Sequence, residues 1–356
     1  MRWNDPLLSY VVNVSKCDFL RHQFTVNEWN QIAQNPNKYN IKLDVEQIKY
    51  IRSCYEHRKN RIKIRQLMRE GETQDFQEFV TEIFVILTNI WERKDLNELN
   101  EGTWEILFMT PLIEIFKRNN GNHNKGICKS IKGEKGSKSS LFRKQLQKQQ
   151  EKLYHNKVNT RAESWHTVNV RRPDHSIKLE TVYGDQEILF EETSGSINEV
   201  DMDKLVDDEC KLVHFASDTA INRHNKILLP NERFIPDFES FCCRLEKLEI
   251  FLFHLHETQL TISIFDQPAF PIGRVRDLFH IFIPSNENST CDSIVNFIQA
   301  LWAVRVGFNE MISEFLIINE IARESRANLV GKFHDSAFIL DCKKFLTFAS
   351  PKRGSS

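Results

Sequence analysis

The chain lacks most of the features that would place it quickly. Its eight cysteines include no C-x-x-C pair. That argues against a zinc cluster or a disulfide framework and fits reduced thiols in the cytosol or nucleus. The adjacent Cys242 and Cys243 are read as simple burial. No stretch reaches the roughly 18 uninterrupted apolar residues of a membrane span. The opening MRWNDPLLSYVV carries Asp5 and Pro6 where the apolar run of a secretory signal should build. There is no internal repeat. The formal net charge is -1, so any nucleic-acid-binding surface has to be a local patch. An intracellular, soluble chain with no membrane partner is expected, and its oligomeric state is open.

Apolar and aromatic residues are plentiful. Of 356 residues, 40% are hydrophobic and 26 are Phe, which predicts a core dominated by aromatic packing. The length suits one large domain or two ordinary ones. Residues 1–95 have helical spacing. Phe76, Phe79, Val80, Ile83, Phe84, Leu87 and Ile90 form one apolar face. Upstream, Tyr55 to Arg69 is a basic run, either a solvated helix or a nucleic-acid face. A second helix is predicted over Glu101–Arg118, capped by Asn100 and kinked or broken at Pro111.

Residues 117–160 are rich in lysine and glycine, with Glu134 and Glu151 the only acids. They predict a disordered insertion, which could also be a nuclear-import signal or a basic arm on nucleic-acid phosphates over 117–157. Strand texture then begins. Ser176–Tyr183 and Ile188–Phe190 flank Gly184-Asp185 as one hairpin. A helix follows over about Asp201–Ala220. Phe251–Leu255 and Leu260–Phe265 form a second hairpin around His256–Gln259. A short strand, Phe279–Ile283, and a long helix, Cys291–Ala327, complete the pattern, with a break expected near Gly307. Residues 331–356 are an extension with a disordered tail.

Arg171-Arg-Pro-Asp174 and Glu191-Glu192-Thr193-Ser194-Gly195 place an acid on each of two neighbouring strands. Such a pair can converge on Mg²⁺, which prefers hard oxygen ligands. Period two puts Glu192 and Ser194 on one strand face and Glu191 and Thr193 on the other. His254 and His256 share a strand face and could bind a metal or fill a half-buried structural role.

P-D, a hairpin-sized gap and then E-x-(K or its substitute) resembles the PD-(D/E)XK nuclease superfamily, and within it a group of fungal proteins with that core. The similar pieces are Asn100–Trp104 through Pro111-Leu-Ile, Arg172-Pro-Asp174, Leu189–Gly195, Asp207–Leu212 and the second hairpin with Ile283-Pro284 and the long helix. They span roughly residues 97–320. The resemblance implies an α/β fold, a mixed central sheet flanked by helices over 96–330, after a helical N-terminal region, 1–95. It implies a Mg²⁺- or Mn²⁺-dependent nuclease with Asp174 and Glu192 as metal ligands and Glu101 as an accessory acid. Ser194 stands where the family carries its strand lysine. Lys211, on the following helix, would be a migrated substitute. A degenerate nuclease fold acting as a nucleic-acid-binding or protein-interaction module is the alternative. Each site residue also has an ordinary reading: Asp174 as a turn residue, Glu192 as a surface carboxylate, Lys211 as an exposed lysine, Glu101 as a first-turn helix acid.

Overall fold

The computed structural model describes residues 11–15, 21–22, 24–33, 37–70, 75–93, 101–118, 128–132, 173–181, 183–194, 201–228, 235, 237–269 and 272–330. Its strands are β1 (Val11–Asn13), β2 (Cys128–Lys132), β3 (His175–Leu179), β4 (Gln186–Ser194), β5 (Ile250–His256), β6 (Gln259–Ala269) and β7 (Ile272–Phe282). Its helices are α1 (Val26–Ala33), α2 (Val45–Glu56), α3 (Arg61–Glu70), α4 (Asp75–Trp91), α5 (Glu101–Trp104), α6 (Thr110–Lys117), α7 (Met202–Arg223), α8 (Phe238–Glu246) and α9 (Cys291–Val330).

All seven strands join one mixed sheet in the order β1-β7-β6-β5-β4-β3-β2. The pairs β4·β5 and β1·β7 are parallel and the others antiparallel. The central strands are buried on both faces, so β5 reads as a near-continuous apolar run. Alternate residues then choose different cores. Leu252, Phe190 and Val275 pack against Leu212, Val213 and Phe215 of α7. Phe251, Phe253 and Leu255 join a larger core on the other face with α2, α4, α6 and α9. Helices therefore cover both faces, and the N-terminal helices share that larger core with the sheet. None of the described helices is long and apolar enough to cross a membrane.

Arg305 locks α9 in place. Its guanidinium is buried and donates to the Ile115 and Arg118 carbonyls at 2.5 and 2.9 Å. It also pairs with Asp75 at 3.2 Å. A cation thus satisfies the orphan carbonyls at the end of α6, where the helix dipole favours it.

Several expectations are corrected. The basic run 55–69 is two helices, not one, because Asn60 interrupts it and accepts from the Lys63 amide at 3.0 Å to start α3. Three of its basic residues are spent internally: Arg58 stacks on Tyr55 and donates to the Glu287 carbonyl, Lys59 pairs with Glu287, and Arg61 pairs with Glu92. Pro111 does not break its helix. The chain instead widens into a π-helical segment, Glu105–Met109, just before it, which accommodates a residue with no N–H to donate. Residues 128–132 of the supposed disordered insertion form β2, in full register with β3. Apart from Lys117, Arg118 and that strand, the basic arm over 117–157 lies outside the described residues, as does the C-terminal extension. The short strand at 279–283 is the end of an 11-residue strand, whose polar first half was hidden by Arg274 and Arg276, both paired to Asp266. The helix begun near Asp201 runs on to Arg223, capped by Asp201, whose carboxylate accepts from Asp203 and Lys204.

Gly307 does not break α9 either. A Cβ there would lie 2.4 Å from Cε1 of Tyr39, so the glycine gives the Tyr39 ring room to pack. Gly307→Ala should cost about 1–3 kcal/mol of stability through overpacking. In a Tyr39→Ala background, Gly307→Ala should reverse sign and stabilise by up to about 1 kcal/mol through helix propensity. Urea denaturation of the two single substitutions and the double one checks this.

Candidate functional site

The site gathers around the last four residues of β4, which are polar and buried. Period two divides them. Glu191 and Thr193 face the helical run α5–α6. Glu191 Oε2 lies 2.8 Å from His175 Nδ1, and Thr193 Oγ1 donates to Glu191 Oε1 at 2.6 Å. Thr110 Oγ1 holds the other nitrogen of His175 at 3.1 Å. Glu191 is thus a buried, fully partnered acid.

Glu192 and Ser194 face α7 instead. Ser194 Oγ donates to Asp208 Oδ2 at 2.7 Å and lies 2.7 Å from His254 Nε2. With its single proton given to Asp208, Ser194 accepts from His254, which fixes the tautomer with hydrogen on Nε2. Asp208 also binds Lys211, one helical turn on, and Lys211 Nζ reaches Glu192 Oε2 at 3.5 Å. Lys211 therefore reaches back toward the strand from α7, its side chain half-buried against the two acids.

Asp174 precedes β3, and its amide donates to the Glu191 carbonyl, extending the β3–β4 ladder by one residue. Its own Oδ2 accepts from the Thr193 amide at 2.9 Å. The carboxylate is consequently fixed beside the end of β4. Burial, then the Glu191 charge, pushes Asp174 up to about 6 against the opposing Thr193 N–H, and Glu105 and Glu101 add to the rise. Glu192 is 2% exposed. Burial, then Asp174, pushes it up to about 9, despite Lys211. Burial works against the Lys211 charge, but Glu192 and Asp208 outweigh it and hold the ammonium above its usual range.

Asp174, Glu192, Ser194 and Lys211 thus come together. Glu101 stands at the margin on α5, close enough to act on Asp174 and bound to Lys204 of α7. Asp208 is the partner that sequence reasoning missed, and His254, read there as a metal ligand or a half-buried structural residue, turns out to be buried against Ser194. A usable signal for Asp208 was its i, i+3 spacing from Lys211, which puts both on one helix face. His254 is committed to Ser194, so it does not pair with His256 as a two-histidine ligand set. Beside the acids, and sharing His254, lies a cavity of about 220 Å³ lined also by Glu209, His256, Asp277 and His280.

Among the described residues, no group of three or more His, Cys, Asp and Glu is placed to hold a metal ion. Mg²⁺, however, takes one or two protein carboxylates and completes its shell with water and substrate oxygens. Glu192 Oε1 is buried and has no hydrogen-bond partner. An unpartnered carboxylate oxygen, with Asp174 near enough to raise the pKa of the same group, supplies the oxygen chemistry that a divalent cation takes. Compared with known proteins, the chain matches no family model, no curated protein and no solved structure.

A carboxyl whose pKa rises on folding contributes most stability below its unfolded value and loses it as pH climbs toward the folded one. For Glu192 that window runs from 4.5 to about 9. Glu192→Gln should therefore stabilise the metal-free protein by about 1–3 kcal/mol near pH 8 and by little near pH 5. Chemical denaturation across that range in the presence of a chelator measures the difference.

Proposed function

We propose that the chain is a metal-dependent phosphodiesterase acting on nucleic acid, with a core of the PD-(D/E)XK type. The observation that carries this reading is the acid pair Asp174 and Glu192, one of whose buried oxygens is unpartnered, with Lys211 reaching in beside it. The order of elements supports it. A helical run (α5–α6), three antiparallel strands (β2, β3, β4), a crossover helix (α7) and a strand parallel to the third (β5) build the mixed, helix-flanked sheet that this reading calls for. The site also sits at the carboxyl ends of the parallel pair β4·β5, where open α/β sheets place ligands.

Asp174 and Glu192 would hold one Mg²⁺ or Mn²⁺, which when bound would lower the pKa of a water and neutralise charge on a phosphodiester. Lys211 would hold a non-bridging phosphate oxygen, since its ammonium already lies next to Glu192. Asp208 positions Lys211, and Ser194 and His254 in turn hold Asp208 in place. Glu101, paired to Lys204, joins α5 to α7 at the margin of the site and adds to the negative charge around Asp174.

A second reading is a retired nuclease scaffold that binds nucleic acid or a protein. It is favoured by Ser194, whose hydroxyl is consumed by Asp208 and His254 and offers nothing to a substrate. Incubation with single- and double-stranded DNA and RNA in Mg²⁺ or Mn²⁺ separates the two. The enzyme should cut with metal only, lose cutting in Asp174→Asn and Glu192→Gln, and fall by roughly 10²–10³-fold in Lys211→Ala, the usual loss of a charge-stabilising donor. Mn²⁺ should also raise the melting temperature of the wild type and leave Asp174→Asn unchanged. Absence of both cutting and metal-induced stabilisation, with salt-sensitive nucleic-acid binding retained, would sink the enzyme reading in favour of the scaffold.

A further inference from the structure

Four cationic side chains among the described residues are buried: Lys178, Arg223, Arg276 and Arg305. Three have a carboxylate. Lys178 meets Glu187 at 3.0 Å, Arg276 meets Asp266 at 2.6 Å and Arg305 meets Asp75 at 3.2 Å. Arg223, only 4% exposed, has none. Its Nη1 donates to the Leu248 carbonyl at 3.4 Å and its Cζ lies over the Phe315 ring, 5.1 Å from the ring centre. Its Nε and Nη2 have no partner among the described residues. Burial pulls the guanidinium down to about 10, and no acid among the described residues offsets it.

The unpaired atoms are the informative ones. Nε and Nη2 form the edge of the guanidinium that grips a planar oxyanion with two parallel hydrogen bonds. The Leu248 bond uses Nη1 and so leaves that edge unused. Arg223 lines a cavity of about 110 Å³ with Ala220, Leu245, Leu248 and Phe265, far more than the 10–15 Å³ or so that one water requires. A buried charge with no counterion costs several kcal/mol, so an anion entering this cavity recovers a large penalty. The cavity also chooses among anions. It offers one cation and a mainly apolar wall, with Gln267 and the exposed Glu246 also lining it. A dianion would leave net negative charge there, whereas a monoanion with a short apolar body fits both charge and wall.

We infer that this cavity is a binding site for a small organic carboxylate, gripped side-on by Arg223. It lies 12 residues along α7 from Lys211, about 18 Å at 1.5 Å per residue, and stands independently of the proposed nuclease chemistry.

Thermal unfolding of the full chain with acetate, propionate or butyrate, at ionic strength held constant with NaCl, tests it. Propionate or butyrate should give a saturable rise of roughly 2–4 °C over the chloride control. Arg223→Met should abolish that rise and, without ligand, melt higher than the wild type because the unpaired charge is gone. Leu245→Trp fills the cavity from its partly exposed side and keeps Arg223. It should also abolish the rise, and it decides the matter if Arg223→Met does not fold. No saturable shift with any of the acids, or a shift that survives both substitutions, would overturn the site. Stronger binding of inorganic phosphate than of the carboxylates would overturn the assignment of the ligand.

Discussion

Strand β4 has to bury nine residues in a row, and its last four are Glu191, Glu192, Thr193 and Ser194. That constraint organises the candidate site. A strand with water on one side could turn its acids outward, but β4 has β3 and β5 as neighbours and helices over both faces. Each polar group must therefore find a partner inside the protein or remain at a cost. On the α5–α6 face the demand is met by His175, Thr110 and Thr193. On the α7 face it is met incompletely. Asp208, Lys211 and His254 satisfy Ser194 and one Glu192 oxygen, and the other oxygen is left over. The difference between the faces separates a fully partnered acid, Glu191, from a partly unpartnered one, Glu192, although the two are adjacent in sequence.

Much of this was legible in the sequence, and for local reasons. The two hairpins announce themselves by apolar runs around Gly184-Asp185 and His256–Gln259, and the α4 face by its three- and four-residue spacing. The acid pair was legible because Pro173-Asp174 and Glu192 sit at the ends of such runs. The features that were not legible depend on distant partners. Strand β2, Cys-Lys-Ser-Ile-Lys, has no apolar pattern of its own and is ordered by its ladder with β3. The first half of β7 carries Arg274 and Arg276, which look like loop residues until Asp266 on β6 neutralises both. Ser194 and His254 are 60 residues apart, and no local rule joins them. Gly307 looked like a helix breaker because the space it opens is filled by Tyr39, a residue from the other end of the chain.

The α7 face also shows how a helix completes a cluster on a sheet. Ser194 is short, and Asp208 and Lys211 approach it from one turn of helix, the acid accepting from the hydroxyl and the ammonium facing Glu192. A helix can bring such groups to a strand only where its face is held against the sheet, here by Leu212, Val213 and Phe215.

The edge strand β1 carries a consequence for synthesis. It pairs in parallel with β7, and Ser15 at its end meets Asp277 across 262 residues of chain. At the usual 5–20 residues per second, the ribosome takes roughly 10–50 s to make that intervening length. For that interval the apolar Val11, Val12 and Val14 lack the strand they pair with, so β1 can take its place only after β7 has emerged. The nascent chain therefore carries an unburied hydrophobic segment through most of its translation, one that a chaperone can hold until β7 emerges.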